Sequence, residues 1–420
     1  MGIINLLDNF LKYPDKLTGF KNHAHARLEK TNYKSAERRF LFVIADSGGG
    51  HRTTANAVKA EIESLIPNSC IFLMPGVDIL AHPQRVFGRL VEETYNTALK
   101  VGAYWVEPFL FKSLSGMELP LMFEYIYLRN SQLIETFNPE AIISFVPATQ
   151  NISYYALKYL KREKEIPLYT VITDLNSMRD SWIIEDQSYS FVPTEKAKDF
   201  FIKLGIKEEK MIVTGLPVNP KFYKKFDNIE ELKEKYELKK DLFTIMIIMG
   251  GYGSYSIYKY SKLIEELNLP VQIIACCGKS KSLYENVTKL SKESKTPIKV
   301  LGFTDKLPEL MAISDVIISK PGSVTVVESI NQNLPLLIDA SNYIMWQEKG
   351  NAEYIEENKI GMAFRSETDL SEKIKFLVTN KDKYLEIKNN IVNFPKSNAT
   401  NFIAKAILEP NKYLNEKNYF

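Results

Sequence analysis

Short apolar runs alternate with helical stretches along most of this chain, and this alternation limits its possible folds more than any other feature. The first run, Phe40–Ala45 (FLFVIA), precedes a glycine loop, a helical stretch from about Thr53 to Leu65 and a second run, Cys70–Met74. A short apolar run bounded by turn residues is typical of a buried strand. The order strand, loop, helix, strand predicts the beginning of a parallel α/β layer.

Further runs predict strands on both sides of one charged segment. Lys221–Lys240 is charged, helical in pattern and low in core residues, so we interpret it as the link between two domains. The predicted strands before it are Ala141–Phe145, Leu168–Ile172, Tyr189–Val192 and Met211–Val213, and those after it are Phe243–Met249, Gln272–Cys277, Ile298–Leu301, Val316–Ser319 and Pro335–Ile338. Two α/β units in tandem are therefore expected, with helices and a polar tail from about Asp369.

The bulk composition is that of a globular protein with more than one domain. The 420 residues are 45% hydrophobic and 25% charged, which argues against a disordered chain. A formal net charge of +3 demands no nucleic-acid partner, although a local basic patch could meet an anionic membrane. We divide the chain into a leader (1–38), an N-terminal domain (39–220), a C-terminal domain (221–385) and a final helix with its tail (386–420).

Cysteine and histidine usage, with the lack of a long apolar run, excludes several protein classes. Cys70, Cys276 and Cys277 match no zinc spacing or disulfide framework, so buried reduced thiols in the cytoplasm are expected. Four histidines without metal-type clustering indicate no protein-bound metal, and no cofactor is expected. No signal peptide or bilayer-spanning run is visible, so any membrane contact is expected to be peripheral.

Residues 101–128 are unusually apolar and aromatic, although four charged side chains interrupt them. Buried core helices are the favoured interpretation of this stretch, because large apolar residues are most often inside a protein. A surface that faces lipid is the alternative, since a contiguous apolar patch on a soluble protein commonly marks an interaction site.

The first glycine loop is DSGGGHRT, from Asp46 to Thr53, and it separates a predicted strand from a helix. Glycines permit a sharp turn and the close approach of a ligand, and free N–H groups at the helix start attract anions. The loop is no P-loop, because no lysine precedes Thr53. His51 is expected to titrate near neutrality and to accept a proton, although a lone histidine is more often structural. The loop glycines are Gly48, Gly49 and Gly50.

Two more loops follow predicted strands of the second unit. The first suits a diphosphate, because its glycines can wrap the phosphates and the next helix dipole offsets their charge. A plain strand-to-helix turn is the alternative. The second loop turns at a proline–glycine corner, and Glu328 follows on the first turns of a helix, where it could accept two ribose hydroxyls or face solvent. The two loops contain Gly250, Gly251, Gly253 and Ser254, and Pro321, Gly322, Ser323 and Thr325.

Polar side chains at two other places suit a sugar and a reacting group. Gln347 and Glu348, close to Asn351, offer an amide and a carboxylate for sugar hydroxyls, unless they form an ordinary polar loop. Asp174 follows the predicted strand Leu168–Ile172. A carboxylate there faces the crevice in which α/β sheets bind ligands, while capping of a turn is the alternative.

Together and in order, seven segments resemble the family of monogalactosyldiacylglycerol synthases and bacterial processive diacylglycerol glucosyltransferases. That family is related to the peptidoglycan enzyme that adds N-acetylglucosamine to lipid I. The segments span roughly residues 40 to 365, and they are SGGGHRTTANAV, VITDLNSMRDSW, VTGLPVNPKF, IIMGGYGS, GFTDKLPELM, ISKPGSVTVVES and QEKGNAEYI. Their order and spacing are more specific than any single glycine loop.

The resemblance implies a GT-B fold, in which two Rossmann-like domains face each other across a cleft and a terminal helix crosses back to the first. The C-terminal domain would bind the UDP-sugar, and the N-terminal domain would bind a membrane lipid acceptor. The donor contacts implied are Phe303 and Thr304 for uracil, Gly250–Ser254 and Gly322–Thr325 for the diphosphate, Glu328 for the ribose, and Gln347 and Glu348 for the sugar. Pro321 and Asn351 are expected to belong to the same donor site.

The resemblance also implies inverting transfer that needs no protein-bound metal, with His51 as the candidate base. From its place at the end of a predicted strand, Asp174 is the second catalytic residue expected. The partners expected are the UDP-sugar, the lipid and an anionic membrane surface on the cytoplasmic side, and no nucleic acid. Three positions depart from the family pattern: Arg179, where relatives carry histidine, the loop GGYGSYS, and Asn333, where relatives carry glycine.

Three rival functions stay open beside diacylglycerol glycosylation. One is the same chemistry on a polyprenyl-linked or other lipid. Another is a UDP-sugar 2-epimerase, which shares the fold, and the third is a nucleotide-sugar-binding protein without turnover. A dehydrogenase is disfavoured because no loop completes the GxGxxG fingerprint.

Overall fold

A computed structural model describes residues 23–45, 49–76, 120–147, 149–184, 187–341 and 346–414. Most of the predicted leader, Gly48 and residues 101–119 of the apolar stretch lie outside these ranges. Twelve strands in the described ranges form two six-stranded sheets in which every neighbouring pair is parallel. The prediction of two α/β units in tandem is confirmed.

The first sheet has the strand order β2-β1-β3-β4-β5-β6. Its strands are β1 (Arg38–Ile44), β2 (Ser69–Pro75), β3 (Ala141–Ser144), β4 (Leu168–Val171), β5 (Tyr189–Val192) and β6 (Met211–Val213). Its helices are α1 (His23–Leu28), α2 (Gly50–Leu65), α3 (Pro120–Phe137), α4 (Thr149–Tyr159) and α5 (Glu195–Lys203), with short 3₁₀ turns at Asp180–Trp182 and Glu208–Lys210.

The second sheet has the order β12-β11-β10-β7-β8-β9. Its strands are β7 (Phe243–Ile248), β8 (Val271–Cys276), β9 (Ile298–Leu301), β10 (Val316–Ser319), β11 (Leu336–Asp339) and β12 (Gly361–Phe364). The remaining helices are α6 (Ile229–Lys235), α7 (Ser256–Glu266), α8 (Lys281–Glu293), α9 (Leu307–Ala312), α10 (Ser323–Asn331), α11 (Trp346–Glu357), α12 (Glu367–Thr379), α13 (Lys381–Asn393), α14 (Ala399–Leu408) and α15 (Pro410–Tyr413), and a 3₁₀ turn spans Pro220–Tyr223.

Both faces of each sheet are covered by helices, which explains why the strands are continuous apolar runs rather than alternating ones. On β1, Phe40 and Phe42 pack into the cluster that contains side chains of α2 and α14. Leu41 and Val43 point to the opposite face, into the cluster that includes α3. The second sheet is built in the same way, with Met246 packed towards α10 and Ile247 towards α7 and α12.

The chain returns to the first domain at its end. Helix α14 packs on α2, and Asn401 donates a 2.6 Å hydrogen bond to Glu61. Thr400 Oγ1 donates to the Val218 carbonyl at 2.6 Å, next to the segment that leaves the first sheet. The C-terminal helix thus packs on the first domain, close to the segment through which the chain leaves that domain.

Three local predictions need correction. Helix α2 begins at Gly50 rather than near Thr53, so His51 lies inside its first turn. Strand β12 was not predicted, and the predicted linker helix is confined to α6.

Where the apolar stretch 101–128 is described, Ile126 and Leu128 are buried in the core, as the favoured interpretation expects. Within the described residues, none of the helices has both the length and the apolar character needed to cross a membrane.

Candidate active site

The loops that follow β7, β8, β9 and β10 emerge at the same edge of the second sheet, because neighbouring parallel strands share a direction. In open α/β sheets this carboxyl edge is where ligands bind. The predicted donor residues therefore come together from separate parts of the sequence. The loop after β4 of the first sheet contacts this region directly, so the edge faces the other domain.

His51 lies on the first turn of α2, directly after the left-handed Gly49 (φ 83°). Its Nδ1 is 2.7 Å from the hydroxyl of Thr173, which follows β4. Its ring lies 6.0 Å from the buried Trp182 ring, centroid to centroid. Burial lowers the pKa of His51 to about 4, while a hydrogen bond with the Phe145 backbone acts in the opposite direction. The expectation of titration near neutrality is wrong, because the sequence does not show this burial.

Asp174 is hydrogen-bonded to the same Trp182 that lies beside His51. Its Oδ2 accepts a 2.7 Å hydrogen bond from the indole Nε1 of Trp182, and the residue is 9% exposed. The carboxylate thus fixes the ring that packs beside His51. Asp174 therefore lies one hydrogen bond and one ring contact away from His51. Neither Thr173 nor Trp182 was singled out from the sequence, although both belong to the recognised segment VITDLNSMRDSW.

The glycine loop after β7 packs against the loop after β8, backbone to backbone. Gly253 has a φ of 77°, and an added Cβ there would lie 2.3 Å from the Cys277 carbonyl oxygen. Gly278 has a φ of 60°, and its Cβ would lie 2.6 Å from the Gly251 carbonyl oxygen. Side chains at these two positions would force the loops apart. Gly278 was missed, because a lone glycine after a strand is a weak signal.

A cavity of about 500 Å³ opens beside these two loops. Lys279 extends from it, with its ammonium 5.0 Å from the ring centre of Phe303 and 5.7 Å from that of Tyr252. Phe303 is 66% exposed, so one ring face is available for stacking. The hydroxyl of Thr304 accepts a hydrogen bond from the backbone N–H of Lys306 at 3.1 Å, which makes it part of the local turn. Ser254, at the end of the glycine loop, lines the same cavity.

Lys320 is a further residue that the sequence did not single out. Its Nζ forms a 3.0 Å ion pair with Glu348 Oε1, and the Glu348 side chain is only 14% exposed. The Lys320 Cε would lie 3.6 Å from a Cβ added at either Gly250 or Gly322. Its alkyl chain therefore crosses both glycine loops, and its ammonium lies beside the predicted sugar contact.

The corner after β10 is supported by Asn351. This fully buried amide donates to the Pro321 carbonyl at 2.7 Å and to Ser323 Oγ at 3.1 Å. Its Oδ1 has no hydrogen-bond partner among the described residues. Thr325 lies on the first turn of α10, and Gln347 is partly buried at the start of α11. The amide thus aligns the corner with α11 and leaves one acceptor oxygen unused.

Glu328 is buried on α10 with 7% exposure, so the alternative of a solvated helix face is wrong. Burial raises the pKa of the Glu328 carboxyl to about 8, because the charged form loses its hydration. This carboxyl is therefore largely protonated at neutral pH. A buried carboxyl of this kind, at the ligand edge of a sheet, is typical of a binding site.

No group of three or more histidine, cysteine, aspartate or glutamate side chains suited to a metal ion occurs among the residues described. Of the loop expected to face the acceptor, Gly49 and Gly50 are described, and a Cβ at either would meet open space. Gly48 lies outside the described residues.

Two protein families match the chain. Residues 51–218 match the monogalactosyldiacylglycerol (MGDG) synthase family, and residues 244–406 match the glycosyltransferase family 28 C-terminal domain. Over 382 residues the chain is 27% identical to the chloroplastic monogalactosyldiacylglycerol synthase 2 of Arabidopsis thaliana, which covers 88% of this chain and 80% of that protein.

Solved structures share the two-domain fold. Acinetobacter baumannii MurG superposes with a TM-score of 0.61 at 13% identity, over 89% of this chain and 99% of that one. The UDP-GlcNAc 2-epimerase from Neisseria meningitidis reaches 0.53 at 15% identity, over 88% and 100%. At such identities the likeness shows the fold alone, and it confirms the expected GT-B architecture. Because an epimerase shares it, fold does not separate the rival functions, whereas the family matches favour glycosyl transfer.

Proposed function

We propose that this chain is a member of the monogalactosyldiacylglycerol synthase family of GT-B glycosyltransferases, and that it transfers a hexose from a UDP-sugar to diacylglycerol with inversion at the anomeric carbon. One observation carries the proposal for this chain. His51 is hydrogen-bonded to Thr173, and the next residues of that segment contact the donor-side elements α10 and α11. One short segment thus connects a candidate base to the two helices that carry the predicted donor contacts.

The second domain supplies the donor contacts in this proposal. Glycine loops and the start of α10 hold the diphosphate with backbone N–H groups, and Lys320 adds a positive charge beside them. Glu328 binds the ribose hydroxyls, and the exposed face of Phe303 stacks on uracil, with Thr304 shaping that turn. Sugar hydroxyls meet the amide and carboxylate groups of Gln347, Glu348 and Asn351.

The reaction is a single displacement. The acceptor hydroxyl oxygen forms a bond to the anomeric carbon as the bond from that carbon to the β-phosphate oxygen breaks, and UDP leaves with the electron pair. The hydroxyl proton passes to the imidazole of His51. The diphosphate's developing charge is stabilised by preorganised N–H groups, which is the largest contribution expected in such a site.

The low pKa of His51 suits a base that must be neutral before donor and acceptor bind. An imidazole with a pKa near 4 is neutral at physiological pH, although it is a weak base. The negative diphosphate raises the histidine's pKa when it binds nearby, because opposite charge favours the protonated form. Donor binding therefore strengthens the base at the point where it is needed.

The acceptor enters from the first domain, where Gly49 and Gly50 leave open space next to His51. We place the enzyme peripherally on the cytoplasmic face of a membrane, with anionic lipids favouring its attachment. Its partners are the UDP-sugar, the lipid and the membrane surface, and no nucleic acid takes part. Neither metal nor cofactor has a role in this proposal.

Product analysis tests the proposal. Purified protein is incubated with labelled UDP-glucose or UDP-galactose and diacylglycerol in anionic liposomes, and the lipid extract is resolved by chromatography. We expect a labelled glycolipid whose anomeric configuration, read by proton NMR, is opposite to that of the donor. Transfer would be refuted if the label were released as free sugar into the aqueous phase, or if it remained on an epimerised nucleotide sugar. Transfer only to a polyprenyl-linked lipid would replace the acceptor and keep the chemistry.

A further inference from the structure

Three hydrogen bonds connect the segment Leu175–Ser177 of the first domain to the second domain. The Leu175 N–H donates to Ser323 Oγ at 3.3 Å. The Asn176 amide donates to the Gly350 carbonyl at 2.7 Å, and the Gly350 N–H donates to Ser177 Oγ at 3.0 Å. The contact is therefore reciprocal: the first domain both donates to and accepts from the backbone of one residue on α11.

Gly350 allows the two domains to approach this closely. A Cβ added there would lie 2.6 Å from Ser177 Oγ and 3.2 Å from Asn176 Nδ2. No φ in the left-handed range requires a glycine at this position, and glycine inside a helix costs about 1 kcal/mol relative to alanine. The chain therefore carries a poor helix former where the packing between domains leaves no space for a side chain.

Residues 173–177 connect the proposed base to the helix that carries the proposed sugar contacts. Thr173, two residues before it, holds the His51 ring. On the other side, Gly350 lies on α11, which carries Gln347 and Glu348 near its start. A displacement at this contact moves the proposed base relative to the proposed sugar site.

We propose that Asn176, Ser177 and Gly350 form an interdomain latch that sets the distance between His51 and the bound sugar. The latch consists of positioning residues, and this inference rests on the function proposed above. The nucleotide contacts proposed above all come from the second domain. Breaking the latch therefore lowers kcat and leaves UDP affinity nearly unchanged.

Gly350→Ala breaks the latch without weakening α11, because alanine is the better helix former. We expect it to lower kcat for lipid glycosylation at least about tenfold, since displacements of about 1 Å cost that much or more. The UDP dissociation constant is expected to stay within about twofold. Ser177→Gly alone removes one hydrogen bond of the latch without adding a clash, and it is expected to lower kcat less than Gly350→Ala does. Lys349→Ala, on the exposed neighbouring residue, is the matched control.

Domain separation is measured independently of activity. Dyes are attached to cysteines introduced at the exposed positions Lys164 and Glu266, one in each domain, because the native cysteines are buried. With UDP bound, we expect lower energy transfer in Gly350→Ala than in the native protein, and a smaller decrease in Ser177→Gly.

The latch is refuted if Gly350→Ala keeps native kcat and native energy transfer, or if Ser177→Gly lowers kcat more than Gly350→Ala does. A native protein without transfer activity contradicts the proposed function instead, and the dye experiment still tests the latch. A UDP affinity that falls in parallel with kcat would also refute the latch, because a general loss of folding produces that pattern.

Discussion

Replacing Glu328 with glutamine should make the protein more stable and its nucleotide site weaker. The carboxyl is 7% exposed, and burial raises its pKa from 4.5 to about 8. Between these two values the folded protein binds a proton that the unfolded chain releases. The free energy of unfolding therefore falls as pH rises through this window. Glutamine has nearly the same shape and no charge, so it removes this penalty.

The size of the effect follows from the width of the window. Each unit of pKa difference corresponds to about 1.36 kcal/mol. Near pH 5 the native carboxyl destabilises the fold by less than about 1 kcal/mol, and near pH 7.5 by about 4 kcal/mol. The stability advantage of Glu328→Gln should thus grow by about 3 kcal/mol between these conditions.

Urea denaturation followed by circular dichroism measures this difference at both pH values. Glu372→Gln, at an exposed position on α12, is the control and should show no pH-dependent advantage. Calorimetry should show UDP affinity reduced about tenfold or more, since two ribose hydroxyls require the two acceptor oxygens of an ionised carboxylate and glutamine offers only one. If Glu328→Gln is no more stable than the native protein near pH 7.5, or gains equally at both pH values, the reasoning about this buried carboxyl is wrong.

Three further predictions concern the loops and the base. Gly253→Ala should lower the free energy of unfolding by at least about 2 kcal/mol, because its Cβ would lie 2.3 Å from a backbone oxygen and its φ is positive; Gly251→Ala, which meets open space, should unfold at the native temperature. Lys320→Met removes the 3.0 Å ion pair with Glu348 and a charge near the leaving group, so steady-state kinetics should show kcat/KM reduced about tenfold or more. The acid limb of the kcat/KM profile that belongs to His51 should lie near pH 4, because the neutral base is lost only as pH falls through its pKa.

The sequence predicted the strands well because each is a compact apolar run with turn residues behind it. The run Phe243–Met249 differs from the observed β7 by one residue. Strand β12 escaped because Gly361–Phe364 is only four residues long and begins with glycine. The start of α2 was placed too late because glycine at its first position is a poor helix former.

The environment of the site residues could not be predicted in the same way. The pKa of His51 depends on burial and on contacts such as Thr173, which is 122 positions away. The pairing of Lys320 with Glu348 and of Ser177 with Gly350 likewise joins distant parts of the chain. Residue types and loop positions can be read from the local sequence. The burial and the hydrogen-bond partners of a site residue depend instead on how distant segments of the chain pack together.

The most direct measurement is UDP release from a panel of UDP-sugars, with and without diacylglycerol in anionic liposomes, for the native protein and His51→Ala. Chemical shift dispersion and UDP affinity should be the same in both proteins, which excludes misfolding. We predict release that depends on the lipid and falls at least about a hundredfold in the variant, as expected for a lost general base. Lipid-dependent release that is unchanged in His51→Ala, or release that ignores the lipid, would contradict a lipid glycosyltransferase that uses this base.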